Sequence, residues 1–252
     1  MMDSGARGIP LYLYNTPKKG SMFDVDSPTG RTPNLSAQAR AYLEQIDCGG
    51  EDGAETLFYH ALATMHAALY RVTNAGALRQ DWPRIPLPAM REALERSAIL
   101  GRQVATLLDS ETPVPGVDTG VVRPDLRAVA ALKSTGDRAN FAVTVRWGYK
   151  QGGTVMPGAG RAVKEEDGTY TIWLNDTTSW AGLPDDVWSY TLGGYQVLKK
   201  WLSYRTFDLL GRALTVKEAE TFAGIARRIA ALLALADDLD ANYEAVIANP
   251  TS

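Results

Sequence analysis

The chain has one cysteine and two histidines in 252 residues. A single cysteine excludes an internal disulfide and any zinc site built on cysteine pairs. Cys48 lies in the glycine-rich "CGGEDG", which offers little rigid support for a nucleophile and its base, so Cys48→Ser is expected to be neutral. His60 and His66 are six positions apart. On one helix they point in different directions, and the metalloprotease spacing is four. No apolar run is long enough to cross a bilayer, and the first residues lack the charged-then-apolar pattern of a secretory signal. A cytoplasmic protein with no membrane partner is expected. In "GGTVMPGAGRAVK" the lysine is misplaced for a phosphate loop and no Ser or Thr follows it. Glu165, Glu166, Asp185 and Asp186 sit in polar, turn-like contexts that favour ordinary solvation. No catalytic residue and no metal ligand is assigned.

What is present is a hydrophobic fraction of 45%, enough to bury a sizeable core. The net charge of −3 is unevenly spread, with −3 over residues 1–60, +6 over 61–164 and −6 over 165–252. A basic middle between acidic ends has two readings, a localised anion-binding face or a set of solvated arginines.

The periodicity gives an order of elements. "IPLYLYN" (9–15) reads as a short buried strand, and 15–34 as a long loop. A helix starts near Ser36 and breaks at "CGGEDG". "ETLFYHALATMHAALYR" places Leu57, Phe58, Ala61, Leu62, Met65, Ala68 and Leu69 on the apolar side of an amphipathic helix. Pro83, Pro86 and Pro88 then enforce an extended connection. A second long helix follows, with Met90, Leu94, Ala98, Val104 and Leu108 facing inward. "NFAVTVRWGYK" alternates strictly and predicts a half-buried strand. "RAVKEEDGTYTIWLN" predicts a hairpin around Asp167-Gly168. "TVKE" (215–218) is a capping box opening one long closing helix through Tyr243. The expected fold is α+β, with helical N-terminal and C-terminal segments packed around a central, mostly antiparallel β region. Its parts are 1–111 (strand and helices), 112–180 (β-rich) and 181–252 (helical), forming one unit.

Several pieces occur together in a recognisable order: "GIPLYLYN", "PNLS", "LFYHALATMHAALYR", "PRIPLP", "LGRQVATLL", "NDTTSWAGLPDDVWSYTLGGYQVLKKWLSYR" and "LTVKEAE". The combination resembles the C-terminal specificity region of type ISP restriction-modification enzymes and related adenine-specific DNA methyltransferases, over nearly the whole chain. Such enzymes bind S-adenosylmethionine and act on a flipped adenine with an Asn-Pro-Pro-Tyr type loop. This sequence has no Pro-Pro pair, and its one Asn-Pro is Asn249-Pro250. The resemblance therefore implies a target-recognition module without its catalytic lobe. S-adenosylmethionine would belong to that lobe, and this chain is expected to hold no cofactor and to catalyse nothing alone. The implied partners are double-stranded DNA and a methyltransferase catalytic lobe or subunit.

The candidate DNA-binding residues lie in the basic middle: Arg123, Lys133, Arg138, Arg146, Lys150 and Arg161, with Ser134 and Thr135 as hydroxyl donors. Arginine reads guanine bidentately, and lysine mostly positions on phosphate. "KSTGDRAN" (133–140) and "KQGGTVMPGAGR" (150–161) read as flexible loops able to enter a groove. Arg7 is a weaker candidate. Gly193-Gly194 is expected to bend the backbone so that the helix 195–204 packs beneath the β region, with Trp188, Tyr195, Val197, Leu198, Trp201 and Leu202 in the core. Lys199 and Lys200 read as a solvated helix face, with phosphate contact as the alternative. The competing functional reading is a protein-interaction module that docks a partner subunit without touching DNA.

Overall fold

A computed structural model describes residues 8–14, 30–136 and 138–251. The chain forms two compact units, residues 1–105 with 236–252 and residues 106–235. Unit 2 thus combines the β region with most of the C-terminal helical segment.

Unit 1 opens with a two-stranded antiparallel ladder of β1 (Tyr12–Tyr14) and β2 (Arg31–Pro33). The expected buried strand is instead largely exposed, with Tyr14 at 73%. Most of the expected loop 15–34, and Arg7, lie outside the described residues. Helix α1 (Ala37–Gln45) starts where Ser36 accepts the Ala39 amide. Helix α2 (Gly50–His66) ends at Ala67, and α3 (Ala68–Thr73) and α4 (Ala75–Leu78) follow. Helix α5 (Arg91–Leu108) runs through the boundary between the units.

The inward face of α2 differs from the expected one. Gly53, Ala54, His60, Ala63 and Thr64 are buried, while Phe58 and Met65 are exposed. The cause is close helix packing. A Cβ on Gly101 of α5 would stand 1.8 Å from the Tyr59 carbonyl oxygen of α2, so only small residues fit at this crossing. On α5, Ser97 and Gly101 join Leu94, Ala98 and Val104 inside, and Met90 and Leu108 are exposed. Cys48 is buried against Tyr42, Leu43, Ile46 and Leu94, so it is a core residue and not a bystander in a loop. Burial pushes its thiol pKa up, away from nucleophile behaviour.

Unit 2 begins with irregular backbone and a 3-10 turn at Pro124–Leu126. Its central sheet has the order β3-β8-β7-β6, all antiparallel: β3 (Ala131–Ser134), β6 (Ala162–Lys164), β7 (Tyr170–Trp173) and β8 (Thr178–Leu183). The Asp167-Gly168 hairpin joins β6 to β7 as expected, with Gly168 at φ +83°. A separate two-stranded ribbon is formed by β4 (Gly148–Gln151) and β5 (Thr154–Pro157). Helix α6 (Asp185–Ser189) leads to a short hairpin, β9 (Thr191–Leu192) and β10 (Tyr195–Gln196), then α7 (Val197–Ser203), α8 (Phe207–Leu210) and α9 (Val216–Leu233). The capping box on α9 is formed as expected: Thr215 Oγ accepts the Glu218 amide, and Glu218 accepts the Thr215 amide. The closing helix is two helices, with α10 (Ala236–Ala248) returning to unit 1.

The core of unit 2 is aromatic and aliphatic. Trp180 stacks on Phe222 of α9 at 4.0 Å between centroids, and Trp147 meets Trp188 edge-on at 5.6 Å. Leu174, Leu183, Leu198 and Leu202 are fully enclosed around them. The observed class is α+β with antiparallel sheets.

Candidate nucleic-acid interface

The stretch 139–147 does not form a ladder, contrary to the strand expected from its alternation. The inward positions Val143 and Trp147 are buried, so the alternation does mark burial. The backbone partners are of another kind, however. The Asn175 amide donates to the Asn140 and Ala142 carbonyls at 2.7 and 2.8 Å, and the Thr144 and Val145 amides both donate to the Leu174 carbonyl. Side-chain hydrogen bonds and one shared carbonyl replace the neighbouring strand.

This arrangement gathers several segments at one end of the central sheet. Lys133 and Ser134 close β3 opposite Ser179 and Thr178. The Thr135 amide continues the pairing to the Thr177 carbonyl. Ser134 Oγ bonds within the next turn, to the Gly136 and Arg138 carbonyls at 3.4 and 3.5 Å. The Arg161 carbonyl accepts the Trp173 amide, and the Arg161 guanidinium lies 3.5 Å from Asp176 and over the Trp173 ring. Arg146 is held by its own carbonyl, which accepts the Gly160 amide at 3.0 Å. A Cβ on Gly158 would stand 2.1 Å from that carbonyl, and one on Gly160 would overlap the Trp147 ring at 2.0 Å. "PGAG" is thus a close-packed support for Arg146, which a side chain at either glycine would displace.

Lys133, Ser134, Thr135, Arg138, Arg146 and Arg161 are therefore brought together by backbone connections, and all are exposed. Lys150, also exposed, is four residues along the chain from Arg146 on the β4-β5 ribbon. The segment 150–161, expected as a flexible loop, contains most of this ribbon. Arg123 is set apart. It lies before the 3-10 turn, paired with Asp125 at 3.1 Å, in the segment that enters the opposite end of β3. Among the described residues, no carboxylate pairs with Lys133, Arg138, Arg146 or Lys150. Three further cations of unit 2 are matched, Lys164 to Asp185, Arg212 to Glu218 and Arg228 to Asp118.

The Gly193-Gly194 stretch takes another role. Both glycines have positive φ, +57° and +82°, and form the turn between β9 and β10. The helix begins later than expected, at Val197, and Tyr195 is half-exposed instead of in the core. Tyr195 and Tyr204 flank the Lys200 ammonium, at 4.4 and 5.0 Å from their ring centroids, and Arg205 covers Trp201 at 4.1 Å. Lys200 and Arg205 are thus matched to Tyr195, Tyr204 and Trp201 by cation–π contact, while Trp188 packs against Trp147 and Tyr170.

The sequence pattern of the Type ISP C-terminal specificity domain matches residues 1–231. The chain belongs to this family. No curated protein sequence matches this specificity domain. Among solved structures it is similar to the ATP-dependent Type ISP restriction-modification enzyme LlaBIII bound to DNA, with a TM-score of 0.54 and 14% identity. That match covers 92% of this chain and 13% of the other. A nuclease-deletion mutant of the Type ISP enzyme LlaGI in complex with a DNA substrate mimic gives a TM-score of 0.47 and 14% identity, over 84% of this chain and 14% of that one. The DrdV–DNA complex gives 0.49 and 20%, over 92% and 21%. The chain thus spans about a fifth or less of the length of these enzymes. Among the described residues no helix is long and apolar enough to cross a membrane, and no cluster of metal-ligating side chains is present.

Proposed function

We propose that this specificity domain binds double-stranded DNA sequence-specifically and supplies target choice to an adenine-specific methyltransferase or restriction-modification enzyme. The observation that carries the reading is the group Lys133, Arg138 and Arg146, exposed near one end of one sheet, together with Lys150 on the separate β4-β5 ribbon, all unmatched by any described carboxylate. Unmatched cations beside hydroxyl donors suit a phosphate backbone. Membership of a specificity-domain family, and the DNA in the complexes of the similar enzymes, support it. S-adenosylmethionine and methyl transfer belong in this reading to a catalytic lobe on the remaining length of such an enzyme.

The test is a salt titration of binding to duplexes. With four phosphates neutralised, the affinity should fall with a log–log slope of about −3 to −4. Arg138→Ala should flatten the slope by about one unit and weaken all sequences alike. No binding above background at low salt would favour a partner-docking module instead.

A further inference from the structure

The β4-β5 ribbon has two unlike faces. Residues opposite each other in an antiparallel ladder share a face, and alternate residues along a strand share it too. The register pairs Gly148 with Pro157, Tyr149 with Met156, Lys150 with Val155 and Gln151 with Thr154. One face therefore carries Gly148, Lys150, Val155 and Pro157. A Cβ on Gly148 would stand 1.9 Å from the Ser203 carbonyl oxygen, so this face turns toward the end of α7. The other face carries Tyr149 and Met156 at its base and Gln151 and Thr154 at its tip. Its base is bordered by Arg146, whose guanidinium lies 5.4 Å from the Tyr149 ring centroid.

The tip is bare. Gln151 and Thr154 are exposed, and neither side chain makes a hydrogen bond among the described residues. The turn between them is Gly152-Gly153, at φ +58° and +83°, with nothing within 4 Å of where either Cβ would stand. A two-residue turn with both φ positive is of the type that keeps hairpin strands tightly twisted. Four residues a side give a ribbon about 13 Å long, with strands about 4.8 Å apart. The major groove is about 12 Å wide and about 8.5 Å deep, and it admits a two-stranded ribbon.

Resting on the DNA-binding reading above, we infer that the β4-β5 ribbon enters the major groove and reads bases with its Gln151–Thr154 face. Gln151 presents an amide that matches the N6 and N7 edge of adenine. Thr154 offers a hydroxyl and a methyl, and Met156 an apolar surface for a thymine methyl. The two glycines let the tip backbone approach the base edges. Arg146 at the base of this face, and Lys150 on the other face, meet the phosphates that border the groove.

The experiment is selection of the 252-residue chain on a randomised duplex library, for wild type, Gln151→Ala, Thr154→Ala and Lys150→Ala. Thermal melting checks that each variant is folded. The wild type should enrich a motif. Gln151→Ala should lose one adenine position, with discrimination there falling about 5- to 100-fold, while its affinity for random duplex stays unchanged. Thr154→Ala should relax a neighbouring position. Lys150→Ala should keep the motif and weaken every sequence alike. If the wild type enriches a motif and the Gln151 and Thr154 variants enrich it unchanged, the ribbon is not the reader, although the domain still binds DNA specifically. If the wild type enriches nothing, the DNA reading and this inference both fall.

Discussion

Replacing Arg228 by methionine removes a guanidinium that five oxygens share. Arg228 projects from α9 and is 6% exposed. Its Nε donates to Asp118 Oδ2 at 2.5 Å, and its two terminal nitrogens donate to the carbonyls of Thr106, Leu107, Asp109 and Thr112. These acceptors lie in the last turn of α5 and in the irregular segment that follows it, so one side chain holds the entry of unit 2 against its longest helix. Methionine fills much of the same volume and donates nothing. The Asp118 carboxylate, 17% exposed, would keep only the Val114 amide. Breaking a buried ion pair at one partner costs about 3–5 kcal/mol, and residual solvent at Asp118 argues for about 3. In a unit of this size each kcal/mol shifts the melting temperature by roughly 4 °C, so a fall of about 12 °C is expected. Tryptophan fluorescence during urea unfolding is a suitable readout, because Trp147, Trp173, Trp180, Trp188 and Trp201 all lie in unit 2. Adding Asp118→Asn to Arg228→Met should recover part of the loss, since the orphaned charge is then gone. The loss should be nearly insensitive to salt, because a buried pair is poorly screened. A loss under about 1 kcal/mol, or no recovery in the double variant, would refute the reasoning.

Gly160→Ala should destabilise unit 2 by about 2 kcal/mol or more, since φ is +65° and the new methyl would meet the Trp147 ring. The same variant should weaken duplex binding through displacement of Arg146, and full binding with an unchanged melt would remove the support role assigned to "PGAG". Stability should also depend on pH in two windows. The Arg212 guanidinium, then the Thr215 amide, hold the Glu218 carboxyl at about 2, below its ordinary 4.5, so its contribution is present above about 4.5 and lost as pH falls toward 2. Arg212 is half-exposed, so roughly 1–2 kcal/mol is expected there, and Glu218→Gln should flatten this window alone. In unit 1, burial pushes the pKa of His60 below its ordinary 6.5, so stability should begin to fall as pH drops past that value. A urea midpoint that stays flat between pH 7 and 5 would contradict it.

The His60 environment explains why the sequence underdetermined unit 1. The ring donates from Nε2 to the Pro86 carbonyl at 2.9 Å, and Nδ1 accepts from Ser97 at 2.7 Å. Asn242 in turn donates to Ser97 Oγ at 3.0 Å. Polar residues on the inner faces of α2, α5 and α10 satisfy one another, and a search for apolar stripes passes over them. Phe58 and Met65, which such a search favours, point outward because the α2-α5 approach admits only small side chains. Local signals fared better. The capping box at Thr215, the Asp167-Gly168 turn and the backbone bend at Gly193-Gly194 depend on a few adjacent residues, and each is present. The alternation over 139–149 conveyed burial and missed the backbone partners, because the bonds of Asn175 reach across more than thirty residues. The same limit applies to the interface. Of the candidate cations, Lys133, Arg138, Arg146 and Arg161 are joined by backbone connections at one end of the sheet, and Arg123 is not. Gln151 and Thr154 were not singled out, although Gly-Gly between alternating residues is a hairpin signal; the segment was read by its flexibility and not by its turn. Arg228 was invisible for the opposite reason, as a charged residue on a helix is ordinarily solvated.

The two-faced ribbon has an evolutionary consequence. Gln151 and Thr154 are exposed, and the turn between them is a Gly-Gly turn at positive φ. Substitution at either position is therefore nearly neutral for folding, where the ordinary change costs about 1 kcal/mol. A lineage can exchange these side chains freely while Gly148, Gly158 and Gly160 hold the ribbon in place. Mutational drift at the tip is decoupled from the survival of the fold, so a new recognition preference can arise without a compensating change anywhere else in the domain.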